Sequence, residues 1–344
     1  MDLWEARGLW DAEPGWLNTA SYGLPPRPAW EALQAALSDW RFGRTSWEGW
    51  GETTGLAREA FARIVSVPAA DVATGATVSQ SLAPIATALP PGARVLVPEV
   101  EFTSNLFPWL VQEGRGVRVR TVPADKLAGA VDADTDLVAF SLVQSSDGAV
   151  AAYDEIVAAA RAHGALVVVD ATQACGWLPF DAGLADAVVV SAYKWLMSPR
   201  GLTFAYLAPA LRERLTPSAA GWFAGEDVHG SYYGPPLRLA GDARRFDLSP
   251  AWFSCVGAAA ALAVVERIGV ARIGAHNVAL ANRFLAGLGR APGESAIVTV
   301  DVPGAERRLK AAGVRAAVRA GRVRASFHAY STEADVDMAL DALV

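Results

Sequence analysis

The chain has 344 residues, of which 52% are hydrophobic, and a formal net charge of −6. This length and composition allow a large buried core that is divided between two unequal lobes. The arginines are scattered rather than clustered, which disfavours a nucleic-acid-binding surface.

The chain begins with MDLWE, which lacks the basic and apolar pattern of a secretory signal. The longest apolar stretch, residues 257–265, is too short to span a bilayer and is interpreted as a buried helix, so we expect no membrane association. Two cysteines, Cys175 and Cys255, are too few for a disulfide framework and favour a reducing cytoplasm. The four histidines show no metal-ligand spacing, and we expect no metal site.

Short β-branched runs alternate with amphipathic helical stretches from Pro28 onward. This alternation predicts an α/β fold in which helices cover a mostly parallel sheet. The predicted helices in this part are Pro28–Asp39, Leu56–Val65, Ser81–Leu89, Tyr153–His163 and Pro209–Leu215. The predicted strands are Arg94–Val97, Val117–Val122, Leu137–Ser141, Leu166–Asp170, Ala187–Ser191 and Leu202–Leu207.

The pattern changes after residue 220. Residues 221–245 are rich in Gly, Pro, Tyr and charge, which predicts a long functional loop. Two Ala-rich helices, a strand, a helix, a second strand and a terminal helix follow, which predicts a smaller α+β lobe. The limits predicted for the two helices and two strands are Trp252–Ile268, Val270–Leu288, Ile297–Val302 and Arg322–Phe327. We expect a large domain at residues 21–249 and a small domain formed by residues 1–20 and 250–344.

Lysine is rare in this chain, and one of the three lysines has an unusual setting. Lys126 and Lys310 lie in polar stretches and are interpreted as solvated. Lys194 follows the apolar run 187–190 and precedes a Trp-Leu pair. An amine there loses hydration, which lowers its pKa and favours a nucleophilic or Schiff-base role.

An acid and this lysine follow successive buried strands. Asp170 ends one strand, and Lys194 comes three residues after Ser191, which ends the next. In an open α/β sheet both side chains reach the same crevice at the carboxyl ends of the strands. The cofactor pyridoxal phosphate (PLP) needs this pair, because an amine binds it covalently and a carboxylate keeps its ring nitrogen protonated. The alternative is an Asp that caps a turn and a lysine in a structural ion pair.

The motifs Asp-Ala-Thr-Gln at 170–173 and Ser-Ala-Tyr-Lys at 191–194 resemble those of the class V aminotransferases, the cysteine-desulfurase-like family of fold-type I PLP-dependent enzymes. The resemblance covers nearly the whole chain. It implies a large domain with a mostly parallel, seven-stranded-type sheet and a small α+β C-terminal domain. It also implies PLP as the cofactor, a small amino-acid substrate and a homodimer with a shared active site.

The resemblance implies a role for each residue of these motifs. Lys194 would carry the cofactor as a Schiff base and act as the base for the Cα proton of the substrate. Asp170 would pair with the ring nitrogen, and Gln173 would hydrogen-bond the phenolic oxygen. Ser191 and Tyr193 would bind the phosphate, where many relatives have His in place of Tyr193.

Two further segments are similar to binding loops of the family. A strand that runs into a helix start near residue 76 suits an anion, and Ala76, Thr77 and Ser79 would cradle the phosphate. A plain helix cap is the alternative. Phe102 would stack on the cofactor ring, although an isolated Phe is more often part of a core.

The C-terminal part contributes Arg324, whose guanidinium would bind the substrate carboxylate. Arg319 and Arg322 are interpreted as solvated, and His328 as a strand histidine with satisfied hydrogen bonds. Ser249 would reach the phosphate in the neighbouring subunit, unless it caps the helix that follows. Asn18 and Ser21 would border the substrate, with a plain turn as the alternative. Gln144 and Ser145 occupy a strand-end loop that faces the cofactor in the family, and they are further candidates.

The reaction type is predicted from what the chain lacks. Persulfide-forming desulfurases need a mobile cysteine shortly before the closing Arg strand, and residues 302–324 contain none. Cys175 and Cys255 are interpreted as structural. We therefore expect a C–S lyase that acts on a cysteine S-conjugate, as in ergothioneine and lincosamide sulfur processing. The alternatives are an aminotransferase, an epimerase like isopenicillin N epimerase, and a non-enzymatic binding protein with this fold.

Two weaker expectations concern specificity and source. A group of aromatic residues in the long loop would either seat a bulky conjugate at the mouth of the site or serve loop packing and dimer contacts: Trp222, Phe223, Tyr232 and Tyr233. The Arg- and Ala-rich, Lys-poor composition favours a high-GC actinobacterial source.

Overall fold

The computed structural model describes residues 1–319 and 321–344. The helices are α1 (Leu3–Arg7), α2 (Arg27–Phe42), α3 (Glu48–Ile64), α4 (Val78–Ala88), α5 (Thr103–Leu110), α6 (Leu127–Ala130), α7 (Tyr153–His163), α8 (Pro209–Arg212), α9 (Trp252–Ile268), α10 (Val270–Gly287), α11 (Ala305–Ala311) and α12 (Glu333–Leu343). The strands are β1 (Val72–Gly75), β2 (Arg94–Pro98), β3 (Arg118–Val122), β4 (Leu137–Ser141), β5 (Leu166–Asp170), β6 (Ala187–Ser191), β7 (Thr203–Leu207), β8 (Ile297–Val300), β9 (Ala317–Arg319) and β10 (Arg322–Ser326).

Seven strands form one sheet in the order β1-β7-β6-β5-β4-β2-β3. The strands from β3 to β6 pair in parallel, whereas β7 and β1 are antiparallel to their neighbours. Alternate residues of β5 belong to two different apolar clusters, with Val167 and Val169 on one face and Val168 on the other. A strand buried on both faces needs the continuous apolar run that the sequence contains. The predicted α/β class with a mostly parallel, seven-stranded sheet is confirmed.

A second, three-stranded antiparallel sheet has the order β8-β10-β9. The N-terminal segment lies beside its central strand, because Asn18 forms an isolated parallel bridge with Ser326 of β10. The backbone nitrogen of Ser326 donates to the carbonyl oxygen of Leu17 at 2.9 Å. This pairing supports our proposal that residues 1–20 join residues 250–344 in the small domain and that residues 21–249 form the large one.

Some element limits differ from the prediction for local reasons. Helix α3 begins at Glu48 rather than Leu56, because tertiary packing overrides the low helix propensity of glycines such as Gly49 and Gly55. Helix α5 was not predicted, and it contains Pro108, which is rare inside helices. Strand β9 was not predicted, because its three residues are too few for a clear alternation, whereas β1 is the strand predicted before residue 76.

No single helix in the described ranges is long and apolar enough to cross a membrane. By length and composition alone, α9 and α10 pass this test only together, and they are bent by 81° relative to each other. In the fold, α9 packs along α2 and α3.

Candidate active site

Three parallel strands end side by side at one edge of the large sheet. Ser141 at the end of β4 is paired with Asp170 at the end of β5, and Ser191 ends β6. These ends border a cavity of about 300 Å³, which we call the Lys194 cavity. Many of the predicted site residues line it: Ala76, Thr77, Ser79, Phe102, Asp170, Gln173, Ser191, Tyr193 and Lys194. The structure therefore places the predicted acid and lysine in one crevice.

Lys194 follows β6 and is only 8% exposed. Its Nζ lies 5.7 Å from the ring centroid of Phe102 and 5.7 Å from that of Tyr193. Burial lowers the pKa of Lys194 to about 8; Asp170 opposes this shift and Arg324 adds to it. An amine with this pKa is available as a nucleophile and as a base near neutral pH.

The Asp170 carboxylate is buried and held by the turn that follows β5. Its Oδ1 accepts a hydrogen bond from the backbone nitrogen of Thr172 at 2.8 Å, and Thr172 Oγ1 accepts one from the nitrogen of Ser191 at 2.9 Å. Burial raises the pKa of Asp170, whereas the Thr172 hydrogen bonds and Lys194 lower it. A cation placed against this carboxylate would favour its charged form. Thr172 itself was missed by sequence reasoning, although it lies two residues after the strand-end acid.

Gln173 is held at both ends of its side-chain amide. Its Nε2 donates to the carbonyl oxygen of Ala20 at 3.0 Å, and its Oε1 accepts from Nε1 of Trp195 at 2.8 Å. An amide nitrogen carries two hydrogens, so one N–H remains for a ligand in the cavity. This N–H is the donor that the predicted contact with a phenolic oxygen requires.

The loop before α4 forms another wall of the cavity. Thr77 caps α4, and its side chain accepts from the nitrogen of Gln80 at 3.2 Å. The first N–H groups of a helix have no acceptor inside it and suit an anion. A Cβ on Gly75 would lie 2.4 Å from Oε1 of Gln80, so the Gln80 side chain would have to move to admit a larger residue. The loop is therefore both a helix cap and a candidate phosphate site.

Phe102 presents its ring to the cavity and is 48% exposed. Its orientation depends on Glu101, a buried acid that sequence reasoning left without a role. Glu101 Oε1 accepts from the Phe102 nitrogen at 2.8 Å and from Ser141 Oγ, and Oε2 accepts from the Ser141 nitrogen at 2.7 Å. Burial raises the pKa of Glu101. Its position directly after β2 and before Phe102 was the available signal.

Arg324 is 2% exposed and reaches two segments that are distant in sequence. Its Nη2 donates to Ser21 Oγ at 3.1 Å, and its Nη1 donates to the carbonyl oxygen of Ser145. Ser21 Oγ also donates to Asn18 Oδ1 at 2.7 Å. Within residues 1–319 and 321–344, no carboxylate pairs with Arg324. Three predicted candidates, Asn18, Ser21 and Ser145, thus form one cluster with the buried Arg324 guanidinium, whose charge has no carboxylate partner within the described residues.

Five predicted site residues do not line the Lys194 cavity: Asn18, Ser21 and Arg324, which form the cluster described above, and Gln144 and Ser249. Gln144 is buried behind it, and its Nε2 donates to Oε2 of Glu101 at 3.3 Å. Ser249 is exposed, and helix α9 has Ala251 as its N-cap with no side-chain cap, so Ser249 does not cap that helix. A contact between Ser249 and a second subunit stays a prediction.

The aromatic residues of the long loop also lie outside this cavity. Trp222 contacts Trp47, Phe223 and Tyr232, with ring centroids 5.1, 5.3 and 5.5 Å apart, and Tyr232 contacts Tyr233. Within one chain these aromatic residues serve loop packing.

Three other residues have structural settings, as the sequence predicted, although His328 lies two residues after β10 rather than in a strand. His328 is fully buried, its Nε2 lies 2.9 Å from the carbonyl oxygen of Trp195, and burial lowers its pKa to about 4. Cys175 and Cys255 are buried, and burial raises the pKa of each thiol.

Arg200 is a cavity residue that sequence reasoning missed. Its guanidinium lies 5.1 Å from the ring centroid of Tyr193. It follows Lys194 by six residues in the turn between β6 and β7, so closeness to the lysine was the available signal. The other lining residues that were not predicted are Val78, Ser104, Ser141 and Thr172.

The residues present fit PLP. The cofactor needs an amine, a carboxylate for its ring nitrogen, donors for its phosphate and an aromatic face, and the Lys194 cavity has all four. We propose that Lys194, Asp170, the start of α4 and Phe102 hold it in these respective ways.

A family model described as "Aminotransferase class-V" matches residues 52–311. An uncharacterized aminotransferase, YcbU, of Bacillus subtilis (strain 168) is 28% identical over 271 residues, which are 76% of this chain and 71% of that protein. Isopenicillin N epimerase of Streptomyces clavuligerus is 33% identical over 261 residues, which are 68% of this chain and 63% of that protein. A probable cysteine desulfurase of Mycolicibacterium paratuberculosis is 28% identical, and the match spans 48% of its length.

Solved structures show the same fold. A mutant of C-DES with glycine covalently linked to its PLP cofactor has a TM-score of 0.87 and 21% sequence identity, with 100% of this chain and 99% of that chain covered. The complex of the cystine C-S lyase C-DES with its product cysteine persulfide has a TM-score of 0.85 and 22% identity, with 98% of each chain covered. The family match and this fold, together with a cavity that fits the cofactor, lead to one conclusion: the chain belongs to the class-V aminotransferase family of PLP-dependent enzymes.

Proposed function

We propose that this protein is a C–S lyase that removes the sulfur substituent of an S-substituted cysteine by β-elimination. One molecule of substrate and one of water would give a thiol, pyruvate and ammonium. The observation that carries the proposal is a buried amine of lowered pKa in a cavity that no cysteine lines. C-DES, which has the same fold, is described as a cystine C-S lyase.

When bound, PLP supplies a ring that accepts electrons from the substrate Cα. The residues of this chain would supply the rest. Lys194 Nζ takes the proton from Cα, because its lowered pKa leaves it able to accept a proton near neutral pH. Asp170 holds the opposite charge at the ring nitrogen, and Arg324 fixes the substrate carboxylate with two parallel hydrogen bonds.

The cysteines disfavour a desulfurase mechanism that uses a cysteine nucleophile. Such a nucleophile must reach the substrate as a thiolate. Cys175 is 1% exposed and Cys255 is fully buried, and burial raises the pKa of both. Within the described residues neither lines the Lys194 cavity. The sulfur would therefore leave as a thiol rather than pass to the protein.

Product analysis tests the reaction type. The PLP-loaded protein is incubated with S-methyl-, S-benzyl- and S-allyl-L-cysteine, and thiol, pyruvate and ammonium are quantified. We expect all three products in a 1:1:1 ratio, and none with Lys194→Ala. Thiol release without pyruvate, or no release from any member of the series, would contradict the proposal.

An aminotransferase or an epimerase is the alternative, and it is supported by two of the relatives described above, an uncharacterized aminotransferase and isopenicillin N epimerase. Both reactions begin with the same proton transfer at Cα, so Lys194 would act as the base in each. Conversion of the bound cofactor to pyridoxamine phosphate would identify an aminotransferase. Inversion of the configuration at Cα, followed by chiral chromatography, without release of thiol or pyruvate would identify an epimerase.

We also propose a homodimer in which Ser249 reaches the phosphate site of the partner subunit. The support is its exposed position outside the cavity of its own chain. Sedimentation of the PLP-loaded protein should give twice the chain mass. Ser249→Ala should weaken PLP retention, whereas a monomer that keeps its PLP would contradict the shared site.

A further inference from the structure

A second cavity of about 420 Å³ adjoins the Lys194 cavity. Tyr193 and Arg200 line both, so their side chains form the boundary between them. The second cavity also contains Ala29, Trp30 and Leu33 of α2. We call it the α2 cavity. Its size is that of a pocket for a small organic group rather than a gap in packing.

The α2 cavity also reaches the candidate carboxylate anchor. Ser21 lines it, and the same Ser21 Oγ accepts the hydrogen bond from Arg324 Nη2 at 3.1 Å. An amino acid whose carboxylate binds Arg324 and whose nitrogen lies near Lys194 has its Cα between these two groups. Its side chain then lies near Tyr193 and Arg200, where the Lys194 cavity meets the α2 cavity.

The chemistry of the two cavities differs. The Lys194 cavity contains Asp170 and Lys194 together with hydroxyl groups. The α2 cavity is lined mainly by apolar side chains, among them Trp30, Leu33 and Met197, and Arg200 at the boundary is its one charged residue within the described part of the chain. A flat aromatic or large aliphatic group gains most from such a lining, because apolar area is removed from water and rings can stack.

Backbone contacts join the N-terminal segment, which lines the α2 cavity, to the turn that contains Lys194. The nitrogen of Gly23 donates to the carbonyl oxygen of Tyr193 at 3.0 Å. A Cβ on Gly23 would lie 2.0 Å from the carbonyl oxygen of Lys194, so the N-terminal segment touches the lysine turn directly. The wall of the α2 cavity and the turn that contains Lys194 are thus in direct backbone contact.

We propose that the α2 cavity binds the substituent on the substrate sulfur and selects large apolar groups such as benzyl or naphthylmethyl. This inference rests on the proposed lyase function, because that function supplies the S-substituted cysteine. The polar amino-acid part occupies the Lys194 cavity, and the substituent passes Tyr193 and Arg200.

The test compares kcat/KM for S-benzyl- and S-methyl-L-cysteine in the PLP-loaded protein. The benzyl-to-methyl ratio should be about tenfold or higher, because the ring buries additional apolar area. Leu33→Trp, which fills the cavity, should reduce that ratio about tenfold. Trp30→Ala removes an aromatic ring from the lining of the cavity and should reduce the benzyl-to-methyl ratio. Because Trp30 is 52% exposed, this change should not destabilise the fold. Ala35→Trp on the exposed side of the same helix is the matched control and should leave the ratio unchanged.

Binding without turnover separates this inference from the lyase proposal. The 2-methyl derivatives of both substrates lack the Cα hydrogen, and calorimetry with the PLP-loaded protein measures their Kd. The benzyl derivative should bind more tightly than the methyl derivative, and Leu33→Trp should abolish this difference. That result would support the subsite even if no pyruvate forms and the lyase proposal fails. The protein could instead form pyruvate from S-benzyl- and S-methyl-L-cysteine with equal kcat/KM, and Leu33→Trp could leave both values unchanged. That result would overturn the subsite and leave the lyase proposal intact. Leu33→Trp could instead dissociate the dimer and leave the benzyl-to-methyl ratio of kcat/KM unchanged. That result would show that the α2 cavity is a contact between two copies of the chain, and it would also overturn the subsite.

Discussion

Lys194 owes its low pKa to its location at the end of a strand that is buried on both faces. The sequence indicated this setting, because a long apolar run precedes the lysine while the other two lysines lie in polar stretches. The lowered pKa of Lys194 could therefore be predicted from the residues next to it in the sequence. Burial removes hydration from the charged amine whichever residues complete the cavity.

The pH dependence of PLP attachment to the apoprotein follows from this pKa. Attachment requires the unprotonated amine, and the Lys194 pKa of about 8 lies well below that of an ordinary lysine. The rate should rise about tenfold per pH unit below pH 8 and level off above it. Absorbance of the covalent adduct after mixing with PLP measures the rate.

Two variants control that experiment. Lys126→Ala removes a lysine whose side chain is 72% exposed, and its pH profile should match that of the unaltered protein. Lys194→Ala should retain no pyridoxyl group after borohydride reduction and peptide mapping. A rate that still rises at pH 10 would show that Lys194 has the pKa of a solvated lysine.

Arg324→Lys should weaken substrate binding more than it slows turnover. A lysine cannot make the two parallel hydrogen bonds that a guanidinium makes to a carboxylate. Loss of one charge-assisted hydrogen bond costs about 1.5–3 kcal/mol, which corresponds to roughly a 10- to 150-fold loss in kcat/KM, mostly through KM. Steady-state kinetics with any accepted substrate measures the loss in kcat/KM. Arg322→Lys, at an exposed position of the same strand, is the control. Equal losses in both variants would contradict a specific role for Arg324.

At the scale of elements, the segment between α1 and α2 connects the two sheets. It bridges to β10 at Asn18 and donates to the lysine turn at Gly23. Because this segment has no regular secondary structure, sequence periodicity contained no signal for its position. Its side chains nevertheless complete the Arg324 cluster and the α2 cavity.

Gly23→Ala tests that connection. The new Cβ would lie 2.0 Å from the backbone carbonyl oxygen of Lys194, so the segment or the lysine turn must shift. We expect a loss of about 1–3 kcal/mol in unfolding free energy and an altered absorption spectrum of the bound PLP. Chemical denaturation and absorbance measure the two effects.

Gly55→Ala is the control for Gly23→Ala. A Cβ on Gly55 meets no atom within 4 Å, and the residue lies within α3. Alanine should therefore stabilise the protein by about 0.5–1 kcal/mol. A Gly23→Ala protein with unchanged stability and spectrum would show that the contact is not tight.

At the scale of the whole molecule, a buried ion pair joins three distant segments. Asp247 Oδ2 lies 2.6 Å from Arg58 Nη2, and Asp247 Oδ1 accepts from the nitrogen of Thr74 at 2.7 Å. The pair thus ties α3 to β1, the strand that leads into the α4 loop, and to the segment before α9. The sequence contained no sign of this pairing, since its partners are 189 residues apart.

Asp247→Ala should lower the free energy of unfolding by about 3–5 kcal/mol, because it leaves the Arg58 charge buried and unpaired. Denaturant titration of the PLP-loaded protein measures the loss. Glu266→Ala is the matched control, since Glu266 pairs with Arg63 between α3 and α9 at 2.6 Å on the surface, and it should cost less than about 1 kcal/mol. Similar losses in both variants would contradict the structural role of the buried pair.

The parallel part of the sheet and the residues at its strand ends could be predicted from local sequence patterns. Buried parallel strands require continuous apolar runs, and these runs are visible locally, so the position of Asp170 after β5 and of Lys194 after β6 followed from the pattern. Parallel strands end at one edge, which is why these two residues converge without any knowledge of distant contacts.

Which distant groups complete the site could not be predicted from the sequence and follows from the packing of the folded chain. Arg324 meets Ser21 across 303 residues, and Trp30 of α2 faces the turn that contains Met197. Such contacts depend on how two sheets and an irregular segment pack together, and the periodicity of a single element contains no information about packing partners. Local hydrophobic pattern specifies where a strand ends, whereas the shape of the space beside that end is a property of the whole packed chain.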